Sequence, residues 1–156
     1  MGHGSQIAAA WYEEDSAYDY HSCFRLVRPF ISQADLAVGN LEVTFGGPPY
    51  RGYPRFSSPD ALAGAIRAAG FDILLNANNH ALDKGKEGLQ RTVAVMDRHH
   101  FIHTGSFTCA EQREQGYPLL VEKNGILLAL LNYTYGTNDI PADSTVIVNL
   151  LDRDLI

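Results

Sequence analysis

The segment Ile73-Leu74-Leu75-Asn76-Ala77-Asn78-Asn79-His80-Ala81-Leu82-Asp83 constrains this chain more than any other. An apolar run suited to a buried strand stops abruptly at two carboxamides and an imidazole, with a carboxylate three residues on. Groups of that kind are desolvated only against partners or a ligand. A second run, Leu36-Ala37-Val38-Gly39-Asn40-Leu41-Glu42, ends in the same way. The shared design predicts that both strand ends leave one edge of a sheet. In open α/β sheets the carboxyl edge is where ligands sit.

The sequence between and after these runs supplies the crossovers. Ser58 is placed to cap a helix with Pro59 at its first position and Asp60 in its first turn. Leu62, Ala65, Ile66 and Ala69 form its apolar stripe, and Gly70 stands where a terminating glycine belongs. A strand over Phe71–Asn76 follows. A second helix is predicted over 86–98, with Leu89, Val93 and Met96 inward, and then a short strand over 101–104. Strand, helix, strand, helix, strand is the grammar of a mostly parallel sheet. Upstream, Phe24, Val27, Phe30 and Ile31 recur at helical spacing within 22–32, with Pro29 ending or kinking that helix. Residues 46–55 form a long Gly- and Pro-rich loop. Near the other end, the apolar runs 119–123 and 126–131 flank Asn124-Gly125, a strong hairpin signal. A last strand begins at Val146. The expected fold class is α/β: a mostly parallel sheet with flanking helices plus an antiparallel hairpin, in a single domain over residues 1–156.

Composition removes several functions. The chain has 156 residues, 46% of them hydrophobic, enough for one cored domain. Its net charge of −6, with no basic cluster, argues against a nucleic-acid partner. No apolar run approaches the roughly 18 residues of a membrane-spanning helix. No Gly-x-Gly-x-x-Gly or Walker-type loop follows a strand, which disfavours a nucleotide-binding unit. Cys23 and Cys109 are too few for a disulfide framework, and each is expected to be a small buried residue.

Asn, Glu and His at strand ends offer carbonyl-type oxygen, carboxylate and imidazole, a mixture suited to Mn²⁺, Mg²⁺, Fe²⁺ or Zn²⁺. The alternative is that Asn40, Asn78 and Asn79 cap the turns that follow them. His80 and Asp83 can form an imidazole–carboxylate pair that fixes one tautomer; otherwise Asp83 caps the next helix. His99 and His100 fall at a helix end, where the dipole favours them, and are set aside with His103. In the 46–55 loop, Arg51 and Arg55 could hold phosphate or carboxylate groups, or stand as solvated cations over the faces of Tyr50 and Tyr53. Asn132-Tyr133-Thr134-Tyr135-Gly136-Thr137-Asn138, after the second hairpin strand, is placed to form a third wall.

Five ordered motifs give the chain a family likeness: Ala34–Glu42, Tyr53–Pro59, Asn78-Asn79-His80 with Asp83 and Gly85, His103-Thr104-Gly105, and Asn132–Asn138. Together they resemble the CapA family of bacterial poly-gamma-glutamate capsule-synthesis proteins, within the calcineurin-like metallophosphoesterase superfamily. The resemblance implies a metallophosphoesterase-like α/β fold and a dinuclear metal centre. Asn40, Glu42 and Asn79 would be metal ligands, and His80, assisted by Asp83, would act catalytically. Arg51, Tyr53, Arg55 and Tyr133 would meet substrate. Ala77-Asn78 stands where the superfamily has glycine, and Asn40-Leu41-Glu42 where it has a bridging aspartate. The family pattern also includes an aspartate preceding Met1 and histidines beyond Ile156, so part of the metal site and self-association through an open sheet edge are expected.

The leading expectation is a metal-dependent, phosphoesterase-like hydrolase domain in capsule or poly-gamma-glutamate biosynthesis or anchoring. Its partner would be that anionic polymer or a phosphoester, and its location the cell surface, as the resemblance implies. The competing expectation is a non-catalytic cell-surface module that keeps the fold to bind polymer or assembly partners.

Overall fold

The structure, a computed structural model, describes residues 2–143 and 145–151. Its centre is a three-stranded parallel sheet made of β3 (Val38–Asn40), β4 (Ile73–Leu75) and β5 (Ile102–Thr104), preceded by α1 (Gly4–Ala9), the small hairpin β1 (Trp11–Tyr12) and β2 (Ala17–Tyr18), α2 (His21–Phe24) and α3 (Arg28–Ile31). The crossovers are α4 (Ala61–Ala69) and α5 (Gly85–Arg98). After β5 come β6 (Ser106–Phe107), α6 (Ala110–Gly116), the hairpin β7 (Leu119–Lys123) and β8 (Ile126–Leu130), and β9 (Ile147–Val148), which pairs antiparallel with β6. The expected α/β class with a parallel sheet and an antiparallel hairpin is what the chain adopts.

Register decides where the strands deliver their polar ends. Asn40 pairs with Leu75, and Leu75 with Thr104, so all three strands run out at the same level on the same edge. In the central strand, Ile73 and Leu74 are both fully buried although they point to opposite faces. A parallel sheet covered on both sides requires that pattern. The stripes foreseen for the two long helices supply the cover: Leu62, Ala65, Ile66 and Ala69 from α4, and Leu89, Val93 and Met96 from α5, all join the core. Gly70 ends α4 with φ of 107°, a left-handed conformation that a side chain would strain.

Three local expectations fail, each for a physical reason. Ser58 does not cap α4. The helix begins at Ala61, and Asp60 at its N-cap makes no side-chain cap bond. The Asp60 carboxylate is taken instead by the Arg91 guanidinium through two bonds of 2.7 and 2.9 Å, and by Arg98 at 3.0 Å. The 22–32 segment is not one amphipathic helix. It breaks at 25–27 into two single turns, Pro29 opens the second, and Val27 and Phe30 point outward while only Phe24 is buried. Neither cysteine is fully buried: both are free thiols, and Cys23 is exposed because Phe24 takes the inward position of α2. The expected last strand is present as Ile147–Val148, and residues 152–156 of that run lie outside the described residues. Among the described residues, no helix is long and apolar enough to cross a membrane.

Candidate functional site

The turn after β4 is fastened by side chains, one at a time. Asn76 closes on β6: its amide donates to Ser106 Oγ, and its oxygen accepts the Ser106 N–H at 3.0 Å. Asn132 reaches back from the end of the β7–β8 hairpin to Ala77. Its Oδ1 accepts the Ala77 N–H at 2.7 Å, and its Nδ2 donates to the Ala77 carbonyl at 3.2 Å. Asn78 stitches the two strand ends together, donating to the Leu41 carbonyl at 2.7 Å and to Asn40 Oδ1 at 3.3 Å. Its own Oδ1 accepts the His80 N–H. The capping role that competed with a ligand role therefore belongs to Asn78.

This scaffold leaves His80 and Asp83 as a buried pair. His80 Nδ1 lies 2.7 Å from Asp83 Oδ2, and the carboxylate side chain is fully buried. The same oxygen accepts the backbone N–H of Phe56 at 2.6 Å, and Asp83 Oδ1 has no partner. A carboxylate on Nδ1 holds that nitrogen as the proton donor and leaves Nε2 as the ring's acceptor. Asp83 does not cap α5, whose N-cap is Lys84. The Phe56 ring packs edge-on against His80, with centroids 4.5 Å apart.

Two hollows open at this edge. His80 and Asp83 share a cleft of about 420 Å³ with Tyr53, Arg55, Asn79 and Asn138. Asn40, Glu42, Asn79 and Tyr133 line an adjoining hollow of about 380 Å³. Asn79 is the wall between them, and its amide donates to Asn138 Oδ1 at 3.2 Å. Eight of the nine residues singled out from sequence thus gather here. Arg51 does not: its backbone bridges to Ser57 and its side chain is exposed outside both hollows. His99 and His100 lie at the end of α5, and His103 Nε2 pairs with Asp97 at 3.0 Å, so none of the three reaches the site.

Sequence reasoning reached Asn138 only as part of the stretch expected to form a third wall, and its Nδ2 comes within 3.4 Å of His80 Nδ1; it passed over Phe56, whose backbone holds Asp83. Asn138 had a local signal in the polar stretch that includes it. The role of the Phe56 amide had none, because every residue but proline carries a backbone N–H.

The ligands foreseen for a metal pair fit it poorly. Glu42 is the one carboxylate, Asn40 Oδ1 already accepts from Asn78, and the rest of the set is neutral amide. Hard divalent ions need several charged or carbonyl oxygens each. Among the described residues, no group of three or more His, Cys, Asp or Glu could hold an ion.

Two proteins of Sinorhizobium fredii (strain NBRC 101917 / NGR234), y4sH and y4uA, are each 34% identical to the chain over 98 residues. The match takes in 57% of this chain and 21% of each relative, so the chain spans about a fifth of their length. The sequence model of the bacterial capsule synthesis protein PGA_cap matches residues 1–152. The chain belongs to the bacterial capsule synthesis protein family.

Proposed function

We propose that the chain is a hydrolase-type domain of capsule synthesis in which His80 moves a proton at the carboxyl edge of the sheet. The observation that carries this reading is the buried His80–Asp83 contact of 2.7 Å at the floor of an open cleft. With Nδ1 committed to Asp83, Nε2 is the nitrogen free to take a proton from a nucleophile or return one to a leaving group. Arg55 and Tyr53 on the cleft wall supply one cation and one hydroxyl for an anionic substrate, a phosphoester or a carboxylate-bearing polymer such as poly-gamma-glutamate. A divalent ion would add Lewis-acid stabilisation where bound. The donor set of Asn40, Glu42 and Asn79 is short of charge for one. That same shortage favours a second reading, a surface module that grips polymer without cleaving it.

Release of p-nitrophenol from bis-p-nitrophenyl phosphate, and shortening of poly-gamma-glutamate, test the first reading on the 156-residue chain. Turnover that disappears in His80→Gln supports it. Turnover equal in wild type and His80→Gln overturns it. Polymer binding that survives in that variant, with no turnover in either protein, selects the second.

A further inference from the structure

The α2–α3 segment presents a ridge unlike the rest of this acidic chain. Leu26 and Phe30 are 75% and 79% exposed, and Val27 beside them is 47% exposed. Leu26 and Val27 lie in the turn between α2 and α3 and Phe30 in α3, with Arg25 and Arg28 on either side of that turn. Both arginines are exposed, and neither pairs with a carboxylate among the described residues. Immediately behind the ridge lies a groove of about 720 Å³. Phe24, Ala65, Ala68 and Ala69 form its apolar part, Arg25 and Arg28 stand in its wall, and no acidic residue lines it. In a protein of net charge −6, that is a local reversal of sign.

We propose that this ridge docks on an anionic phospholipid surface, with Leu26 and Phe30 entering the acyl boundary and Arg25 and Arg28 meeting lipid phosphates. Two features favour a bilayer over a protein partner. The cations flank the apolar prongs, the arrangement of interfacial membrane segments. The groove behind them offers apolar walls beside guanidinium groups, complementary to an anionic headgroup above its chains. Docking here is peripheral, and it is independent of any chemistry at His80.

The test is co-sedimentation of the 156-residue chain with vesicles of phosphatidylglycerol and phosphatidylcholine, against phosphatidylcholine alone. Binding should need the anionic lipid and weaken as salt is raised. Arg25→Gln with Arg28→Gln should weaken binding by about thirty-fold, the loss expected for two surface cations. Leu26→Ser with Phe30→Ser should abolish it. The β7–β8 hairpin is also apolar and exposed, with Leu127 at 66% and Leu131 at 63%, so Leu127→Ser with Leu131→Ser is the matched control and should leave binding unchanged. Circular dichroism establishes that each variant is folded, and the arginine pair, fully on the surface, carries the test if the apolar pair is not. Failure to sediment with anionic vesicles, equal binding to neutral ones, or loss of binding in the hairpin control alone overturns the proposal. So does a ridge that proves, by sedimentation velocity, to join two copies of the chain in the absence of lipid.

Discussion

The Phe56 backbone N–H donates to Asp83 Oδ2 at 2.6 Å, and by that bond the 46–57 loop is tied to the turn that carries His80. Asp83 therefore does two things with one oxygen: it orients His80 and it anchors the loop from which Tyr53 and Arg55 project into the cleft. The substitutions that separate these roles follow from the donor inventory. Asn at position 83 keeps an oxygen to accept from Phe56 and His80, but it loses the charge and buries an amide NH2 where Asp83 Oδ1 now has no partner. Asp83→Asn should therefore cost about 1–2 kcal/mol, and Asp83→Ala, which leaves the Phe56 N–H and the His80 ring N–H without their acceptor, about 3 kcal/mol in urea unfolding. Equal costs would mean that the retained oxygen contributes nothing.

His80→Gln should leave the fold intact and remove turnover, since Gln can donate to Asp83 but cannot exchange a proton near neutral pH. His99→Ala and His100→Asn should change stability by no more than about 0.5 kcal/mol and leave turnover alone. Asn is chosen at 100 because His100 has φ of 57°, which Asn tolerates. The opposite ranking of these histidines in an activity assay would move the site to the end of α5.

Gly105 packs against the Asn132–Ala77 contact. With φ of 113°, it already occupies a conformation closed to most residues, and a Cβ there would collide with Asn132 Oδ1 and the Ala77 backbone. Gly105→Ala should lower stability by more than about 2 kcal/mol and cut turnover through displacement of the 77–80 turn. Thermal unfolding and kinetics on one sample read both effects.

Tyr20 is fully buried, its hydroxyl has no partner, and burial followed by the nearby Tyr18 pushes its phenol up to about 12. Because the folded value exceeds the unfolded value of about 10, the neutral phenol favours the folded state. That stability is fully present below pH 10 and is lost as pH rises through 10 towards 12. Tyr20→Phe should flatten this alkaline loss, leaving the shares due to Tyr117, also raised to about 12, and to Tyr50, raised by its burial. Near neutral pH the variant should match or exceed wild type by about 1 kcal/mol, since the substitution removes an unpaired buried hydroxyl.

Titration with Mn²⁺ checks the donor argument. One carboxylate among amides should give weak binding, well short of saturation at stoichiometric metal. Tight uptake of two ions by the 156-residue chain would show that Asn40, Glu42 and Asn79 suffice.

The sequence made the sheet legible because apolar runs, Gly70 and Asn124-Gly125 act locally: each fixes its own stretch of backbone whatever packs on it. The meeting of strand ends was legible too, since parallel register follows from similar strands joined by helices. Ser58 misled because the residue that starts α4 was chosen by Arg91 and Arg98, thirty or more positions away. Val27 and Phe30 misled because periodicity shows that a stripe exists but not that anything covers it. Arg51 and Arg55 look alike in the chain, and the turn of the loop between them sends only Arg55 to the cleft. The work of Asn78, Asn132 and Asn138 was hidden for a related reason: a carboxamide reads the same whether it meets a ligand or a backbone peptide.

That last ambiguity has a kinetic consequence at Asn132. Its side chain offers Ala77 the same donor and acceptor that a neighbouring strand would, so the chain continues its ladder by one rung made from a side chain. The turn bearing Asn79 and His80 is thereby set before any ligand arrives. Ligand association at the cleft should then proceed as a single fast step, with no slow ordering phase and little loss of backbone entropy.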